Sequence, residues 1–287
     1  MKCICCKSNQ IIHSKVGLTK YYNCRFCGFM FTPERAENNL RGILLSHYRD
    51  IDPHERVAAS KQSFFNSTLG YLSSQVKSKH RSLLDVGCGF GYFLESACER
   101  GWQTYGVEIS GAAVRGARGR VREANIFYGS LRDARYSDEY FDAITLWDVL
   151  AIVDSPLEEL QECHRILKHR GRIGIRVRNV FFHKLAYKIY FPLRKVASRL
   201  KIKKPYVFYQ YNFGAKSLIL MLRRAGFRPI LITNSPLTEG DPYSHTRIDR
   251  FTSFLKFWID IFGRVLFQMS RGRLISGPSL LIWAEKL

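Results

Sequence analysis

Residues 81–110, RSLLDVGCGFGYFLESACERGWQTYGVEIS, constrain the fold more than any other stretch of the chain. Leu83 and Leu84 open an apolar strand that ends at Asp85-Val86-Gly87, and glycines recur at alternate positions as Gly87, Gly89 and Gly91. From Phe90 to Arg100 the apolar residues Phe93, Leu94 and Ala97 share one helical face, and Gly101 supplies a C-terminal stop. A second short strand, Thr104 to Val107, ends in Glu108. The order is strand, glycine turn, helix, strand, acid. Glycines let a ligand approach the main chain closely, the helix start offers unpaired N–H groups, and an acid ending the second strand can accept from both hydroxyls of a ribose. The spacing is G-x-G-x-G and not the G-x-G-x-x-G of pyrophosphate binders. A nucleoside cofactor is the expected ligand, and a ligand-free βαβ unit is the alternative.

The N-terminal segment, MKCICCKSNQIIHSKVGLTKYYNCRFCGF, holds Cys3-x2-Cys6 and Cys24-x2-Cys27 seventeen residues apart. Two such knuckles can present four thiolates tetrahedrally, and the spacing fits a structural zinc site. Too short to build a core alone, this segment would take its folding energy from the metal. Cys5 is an alternative ligand of the first knuckle with poorer spacing. His13 reads as a surface residue, and Cys88, Cys98 and Cys163 read as small core residues.

Downstream, Ser110 is a good N-cap for a helix to about Arg120, and Asn125–Tyr128 and Phe141–Leu146 read as strands. Trp147 and Asp148 fall at the carboxyl end of the second of these, where open α/β sheets place ligands. Pro156 opens a helix to Leu167, Arg172–Val177 is a strand, and His164 on that helix is structural. Lys216–Ala225 is a helix closed by Gly226, followed by strands at Phe227–Thr233 and Ser279–Ala284. Ala58–Val76 forms a helix with Phe64, Phe65, Leu69 and Leu72 as its apolar stripe.

Together, the glycine turn, Glu108 and residues 125–179 resemble the class I S-adenosylmethionine-dependent methyltransferases, and the four-cysteine head resembles that of a subgroup with an N-terminal zinc-binding segment. The resemblance implies an α/β fold: a doubly wound, seven-stranded Rossmann-like sheet, its last two strands an antiparallel pair, with a small zinc-ribbon-like segment at the N-terminus. It implies that Asp85, Gly87, Gly89 and Gly91 hold the methionine part of S-adenosylmethionine and that Glu108, followed by Ile109, holds the ribose. Ser130 and Leu131 would flank the adenine through backbone N–H groups, Trp147 and Asp148 would line the cofactor edge, and Tyr48 would close over it. The implied domains are a zinc-binding head at 1–45, a linker and helix at 46–80, and a methyltransferase domain at 81–287, with helical insertions at about 180–204 and 240–275. One departure stands out. Where the family commonly reads D-V-L-E-H-V, this chain has Asp148-Val149-Leu150-Ala151-Ile152-Val153. Without the Glu-His pair the catalytic residue is unknown, and Asp148 is a weak candidate base whose other reading is a cofactor-side acceptor.

The charge is unevenly spread. Residues 170–287 carry 23 Lys+Arg against 5 Asp+Glu, whereas residues 1–169 carry 22 against 19. The basic excess falls where the family builds its acceptor side and points to an anionic partner there. Residues 180–204 carry eight Lys+Arg and no acid, with Phe182, Leu185, Ile189, Leu193, Val196 and Leu200 at helical spacing; Pro192 should break or kink the pattern. Such a helix either caps the acceptor pocket, apolar face inward, or lies at a membrane interface. The cap is preferred, with Tyr206, Phe208, Tyr209 and Tyr211 as an acceptor wall and a second amphipathic helix at 247–271. A small, lipid-like or amphipathic acceptor, sugars included, is expected. An RNA substrate fits the charge but finds no base-methylating motif, and a non-catalytic methyltransferase-like role is the third reading. With no signal peptide and no run long enough to span a bilayer, the expected location is cytoplasmic, with peripheral contact at the inner membrane face.

Overall fold

The computed structural model describes residues 1–17, 19–32, 52–199, 206–236 and 275–287, with isolated positions at 261, 265 and 268–270. Tyr48 and nearly all of the helix expected at 247–271 lie outside the described residues.

The head contributes β1 (Ile11–Val16), β2 (Thr19–Cys24) and β3 (Met30–Phe31). Then come α1 (Asp52–Gln75), β4 (Ser82–Val86), α2 (Tyr92–Cys98), β5 (Gln103–Glu108), α3 (Gly111–Arg120) and β6 (Asn125–Tyr128). The second half adds β7 (Phe141–Trp147), α4 (Pro156–Ile166), β8 (Leu167–Arg178), α5 (Val180–Arg199), β9 (Tyr211–Asn212), α6 (Ala215–Arg224), β10 (Phe227–Asn234) and β11 (Ser279–Lys286).

Seven strands form one sheet in the order β10-β11-β8-β7-β4-β5-β6. β8, β7, β4, β5 and β6 are parallel, and β11 runs antiparallel to both β8 and β10. This is the doubly wound seven-stranded architecture with its antiparallel closing pair. Its central parallel strand β4, lying between helical layers, has all five residues buried, and all eight residues of the antiparallel β11 are buried as well. One core packs Phe64, Phe65, Leu69 and Leu72 of α1 with Phe93, Leu94, Trp102, Val114 and Trp283. The other joins Leu84, Leu146, Ile175 and Val177 to Leu160 and Ile166 of α4 and Leu218 and Leu222 of α6.

The second core continues into the head through Phe29, Phe31, Tyr211 and Phe213. The head sheet has the order β1-β2-β3-β9, so its fourth strand comes from the methyltransferase-like part. The Asn212 side-chain amide donates to the Met30 carbonyl (3.3 Å), the Thr32 N–H to the Gln210 carbonyl (3.1 Å), and Phe29 meets Phe213 at 5.0 Å between ring centres. Arg224 of α6 donates to the Ile4 carbonyl (2.7 Å) and to that of Cys5. Tyr211 was expected in an acceptor wall. Its backbone instead completes the head sheet, its N–H donates to the Ala151 carbonyl (3.1 Å) and its hydroxyl to that of Asp154 (2.9 Å).

Two expectations for α5 need correction. Pro192 was expected to break or kink it, and the break does not occur: the helix continues to Arg199. It does not turn its aliphatic stripe inward as a cap would: Leu185, Ile189, Leu193 and Val196 are exposed. The inward face is aromatic instead, with His183 buried and Tyr187 and Tyr190 packed on Tyr206 at 5.0 and 5.8 Å.

Candidate functional site

The site starts where β4 ends. Gly87, Gly89 and Gly91 all adopt left-handed φ values of 73°, 55° and 79°, which side chains rarely tolerate. A Cβ on Gly91 would press against the Ala117 Cβ at 3.1 Å, and one on Gly87 would collide with Val149. The turn is tied to β5: the Gly87 N–H donates to the Val107 carbonyl (2.7 Å) and the Gly89 N–H to Glu108 Oε2 (2.9 Å). Glu108 Oε1 accepts from the Ser110 N–H (2.8 Å). Each carboxylate oxygen keeps a lone pair for a further donor. Burial pushes the Glu108 carboxyl up, and the three backbone N–H groups of Ser110, Gly89 and Ile109 hold it down in part.

Asp85 lies one strand away, 2% exposed, and accepts from the Thr145 hydroxyl (2.7 Å). Burial pushes its pKa to about 7, with the nearby Glu108 charge adding to the rise and Thr145 opposing it. Its value in the fold is above that of the open chain, so the stability tied to its protonated form is complete at low pH and is lost as pH rises through about 7. Asp85→Asn, which keeps an oxygen for Thr145, is expected to raise stability by about 2–4 kcal/mol near pH 8 and far less near pH 4. Thermal melts at the two pH values check this, and equal shifts at both would contradict it.

At the end of β7, Trp147 packs edge-on against Phe64 (5.0 Å) and Phe93 (5.4 Å). Asp148 follows in a left-handed conformation, φ 64°, and pairs through Oδ2 with Arg176 of β8, a 6% exposed residue that also donates to the Ser235 hydroxyl (2.9 Å). Burial pushes the Asp148 carboxyl up, but Arg176, Lys61 and Arg178 outweigh it and hold the group below the usual carboxylate range. Among the described residues, Trp147 Nε1 and Asp148 Oδ1 are buried with no hydrogen-bond partner. Orphaned buried polar atoms carry a cost of about 1–3 kcal/mol each, and here one donor and one acceptor sit at the strand end beside the glycine turn. They fit a ligand that offers both kinds of group.

Ser130 and Leu131 follow β6. Leu131 is 1% exposed and belongs to the core. Ser130 caps a short turn: its N–H and hydroxyl both donate to Asp133 Oδ2 (3.1 and 2.6 Å), which holds the Asp133 carboxyl low. The N–H expected to face an adenine is thus already bonded to an acid three residues on. Ile109 is 40% exposed.

Arg176 was not singled out in the sequence. The signal was there: Arg172, Gly174, Arg176 and Arg178 alternate with Ile173, Ile175 and Val177, so one face of β8 carries arginines. His183 was also missed. It is 3% exposed, and its Nδ1 accepts from the Val207 N–H (3.2 Å), so the imidazole is neutral; burial, then Arg178, pushes its pKa to about 3. It pegs the segment after α5. His164, as expected, is structural and packs on Phe227 (5.1 Å).

In the head, the Sγ atoms of Cys3, Cys6, Cys24 and Cys27 lie within 4.8 Å of one another, with Cys3–Cys27 at 3.7 Å and Cys6–Cys24 at 3.5 Å. Zinc–thiolate bonds of about 2.3 Å in a tetrahedron need sulfurs about 3.8 Å apart. The Cys5 thiol points away and donates to the Ser217 carbonyl (3.2 Å), which removes it from the set. None of the eight cysteines forms a disulfide.

Comparison with known proteins agrees with this geometry. Residues 55–232 match a family described as a methyltransferase domain. The chain belongs to this methyltransferase family. A ubiquinone biosynthesis O-methyltransferase of Alkalilimnicola ehrlichii is 33% identical over 98 residues, 32% of this chain and 40% of that protein. The chain therefore aligns with less than half the length of that relative. Among solved structures, a complex of the Haloferax volcanii Trm112 methyltransferase activator and a methyltransferase aligns with a TM-score of 0.53 at 14% identity, covering 82% of this chain and 95% of that one. A SAM-dependent methyltransferase from Archaeoglobus fulgidus aligns with a TM-score of 0.50 at 20% identity, covering 78% and 94%. At these identities the structural matches establish the fold. The methyltransferase is thus S-adenosylmethionine-dependent by family. Among its described residues, no helix is long and apolar enough to cross a membrane.

Proposed function

We propose that this methyltransferase acts on an oxygen of a small or amphipathic acceptor that carries, or acquires, negative charge at the reacting end. The observation that carries it is the Asp148–Arg176 pair with its surroundings: three cations, Arg176, Lys61 and Arg178, act on a single carboxylate at the sheet's carboxyl edge. Four elements would hold the cofactor: the glycine turn, Asp85, Glu108 and the unpartnered Trp147 and Asp148 atoms. S-adenosylmethionine supplies an already activated methyl group. The protein's task is then alignment of the nucleophile at about 3 Å, an orientation effect. A carboxylate held ionised by Arg176 is a poor proton acceptor, and Ala151 and Ile152 offer none. An acceptor already ionised in solution, such as a carboxylic acid, needs no base, and the positive side chains around Asp148 favour an anion beside them. The O-methyltransferase name of the Alkalilimnicola ehrlichii relative supports an oxygen nucleophile. We assign the four head thiolates to one structural zinc.

The test is methyl transfer from labelled S-adenosylmethionine to matched acidic and neutral acceptors, with Arg176→Met alongside. Acidic acceptors are expected to react in preference, and Arg176→Met to lower kcat/KM for them by about 10–100-fold while calorimetry still shows S-adenosylhomocysteine binding. A clear preference for neutral acceptors, indifferent to Arg176→Met, would overturn the proposal.

A further inference from the structure

α5 presents two stripes to solvent. At 3.6 residues per turn, Phe181, Leu185, Ile189, Leu193 and Val196 fall within roughly a third of the helix circumference. They are 63%, 50%, 59%, 56% and 54% exposed. Lys184, Lys188 and Lys195 fall on the arc beside them, and the whole helix carries five cations and no acid. Lys184 is partly buried, and that burial, then Lys188, lowers its ammonium below the usual lysine range.

The opposite arc is fully employed. His183, Tyr187 and Tyr190 face Val207, Phe208 and Tyr206. Asn179 anchors the helix start, where its amide donates to the Ile275 and Gly277 carbonyls (3.0 and 2.9 Å) and its oxygen accepts from the Phe181 N–H (3.1 Å). The exposed stripe is therefore not a core face that slipped outward. Packing fixes the helix rotation and holds the aliphatic side chains in water. Contiguous exposed apolar surface of this kind marks an interaction site.

We propose that α5 seats this protein on an anionic bilayer surface, with the aliphatic stripe in the headgroup–acyl boundary and the lysine arc against acidic headgroups. An apolar stripe flanked by cations and lacking acids is the pattern of helices that lie in the interface plane. Charge complementarity decides the occupant. An anionic membrane meets the lysine arc at about 1 kcal/mol per lysine, whereas a second copy would bring lysines against lysines. An RNA would engage the lysines and leave the aliphatic stripe in water.

The test uses the intact chain with vesicles of phosphatidylcholine alone or mixed with phosphatidylglycerol, at low and high salt, next to a gel shift with structured RNA. Binding is expected on the anionic vesicles, weakened by salt. Lys184→Gln/Lys188→Gln should weaken it about thirtyfold, and Leu185→Gln/Ile189→Gln should abolish it with circular dichroism and S-adenosylhomocysteine binding unchanged. Absence of vesicle binding, or equal binding to both lipid mixtures that survives Leu185→Gln/Ile189→Gln, would overturn the proposal. So would a dimer in sedimentation that this double variant converts to monomer, or RNA binding lost in the lysine variant without vesicle binding.

Discussion

Glu108→Ala and Gly89→Val are each expected to weaken S-adenosylhomocysteine binding by more than about 100-fold in calorimetric titration. Glu108 lies buried at the end of β5 with both oxygens already fixed by the N–H groups of Gly89 and Ser110. Its orientation toward a ribose is therefore set before any ligand arrives. Truncation removes two charge-assisted acceptors at about 1.5–3 kcal/mol each and strands two backbone donors. Gly89 acts differently. At φ 55° a β-branched residue is strained in the fold, and the N–H that orients Glu108 is displaced with it. Circular dichroism separates lost binding from lost folding. Near-native affinity in both variants would show that the cofactor binds elsewhere.

The second large effect is expected in the head. Cys24→Ser should reduce zinc from one per chain to a small fraction in elemental analysis and lower the melting temperature of the head, since a structural four-cysteine site supplies on the order of 10 kcal/mol of apparent folding energy. Binding of S-adenosylhomocysteine should persist within a few-fold, because the glycine turn is built from β4 and β5 and bonds to neither knuckle. Full zinc content in Cys24→Ser, or an ordered head in metal-free protein, would contradict the assignment.

The cofactor half was legible because its signals are local. Three alternate glycines, an acid nineteen residues after the second of them and apolar strands on either side report their structure within thirty residues. The acceptor half depends on distant pairings. Arg176 meets Asp148 because β7 and β8 pair in parallel with Trp147 opposite Arg176, and no neighbouring residue announces that register. The replaced Glu-His pair was visible as a departure, but its structural use was not. Ala151 is buried and lends its carbonyl to Tyr211, so this loop now supports the head. In α5 the periodicity located an apolar stripe but could not orient it, because an aromatic set on the same helix competed for the inside and won.

The shared strand sets an order of events during synthesis. Met30 leaves the ribosome 182 residues ahead of Asn212, the residue it pairs with. At about 5–20 residues per second that is an interval of roughly 10–40 s. Throughout it, β1 to β3 exist without their fourth strand, and Phe29 lacks the rings of Tyr211 and Phe213 that later pack on it. Both cysteine knuckles are complete from the start of that wait. Metal capture by the nascent chain would let the hairpin persist until β9 emerges, and would make the head a template for a strand made 182 residues later.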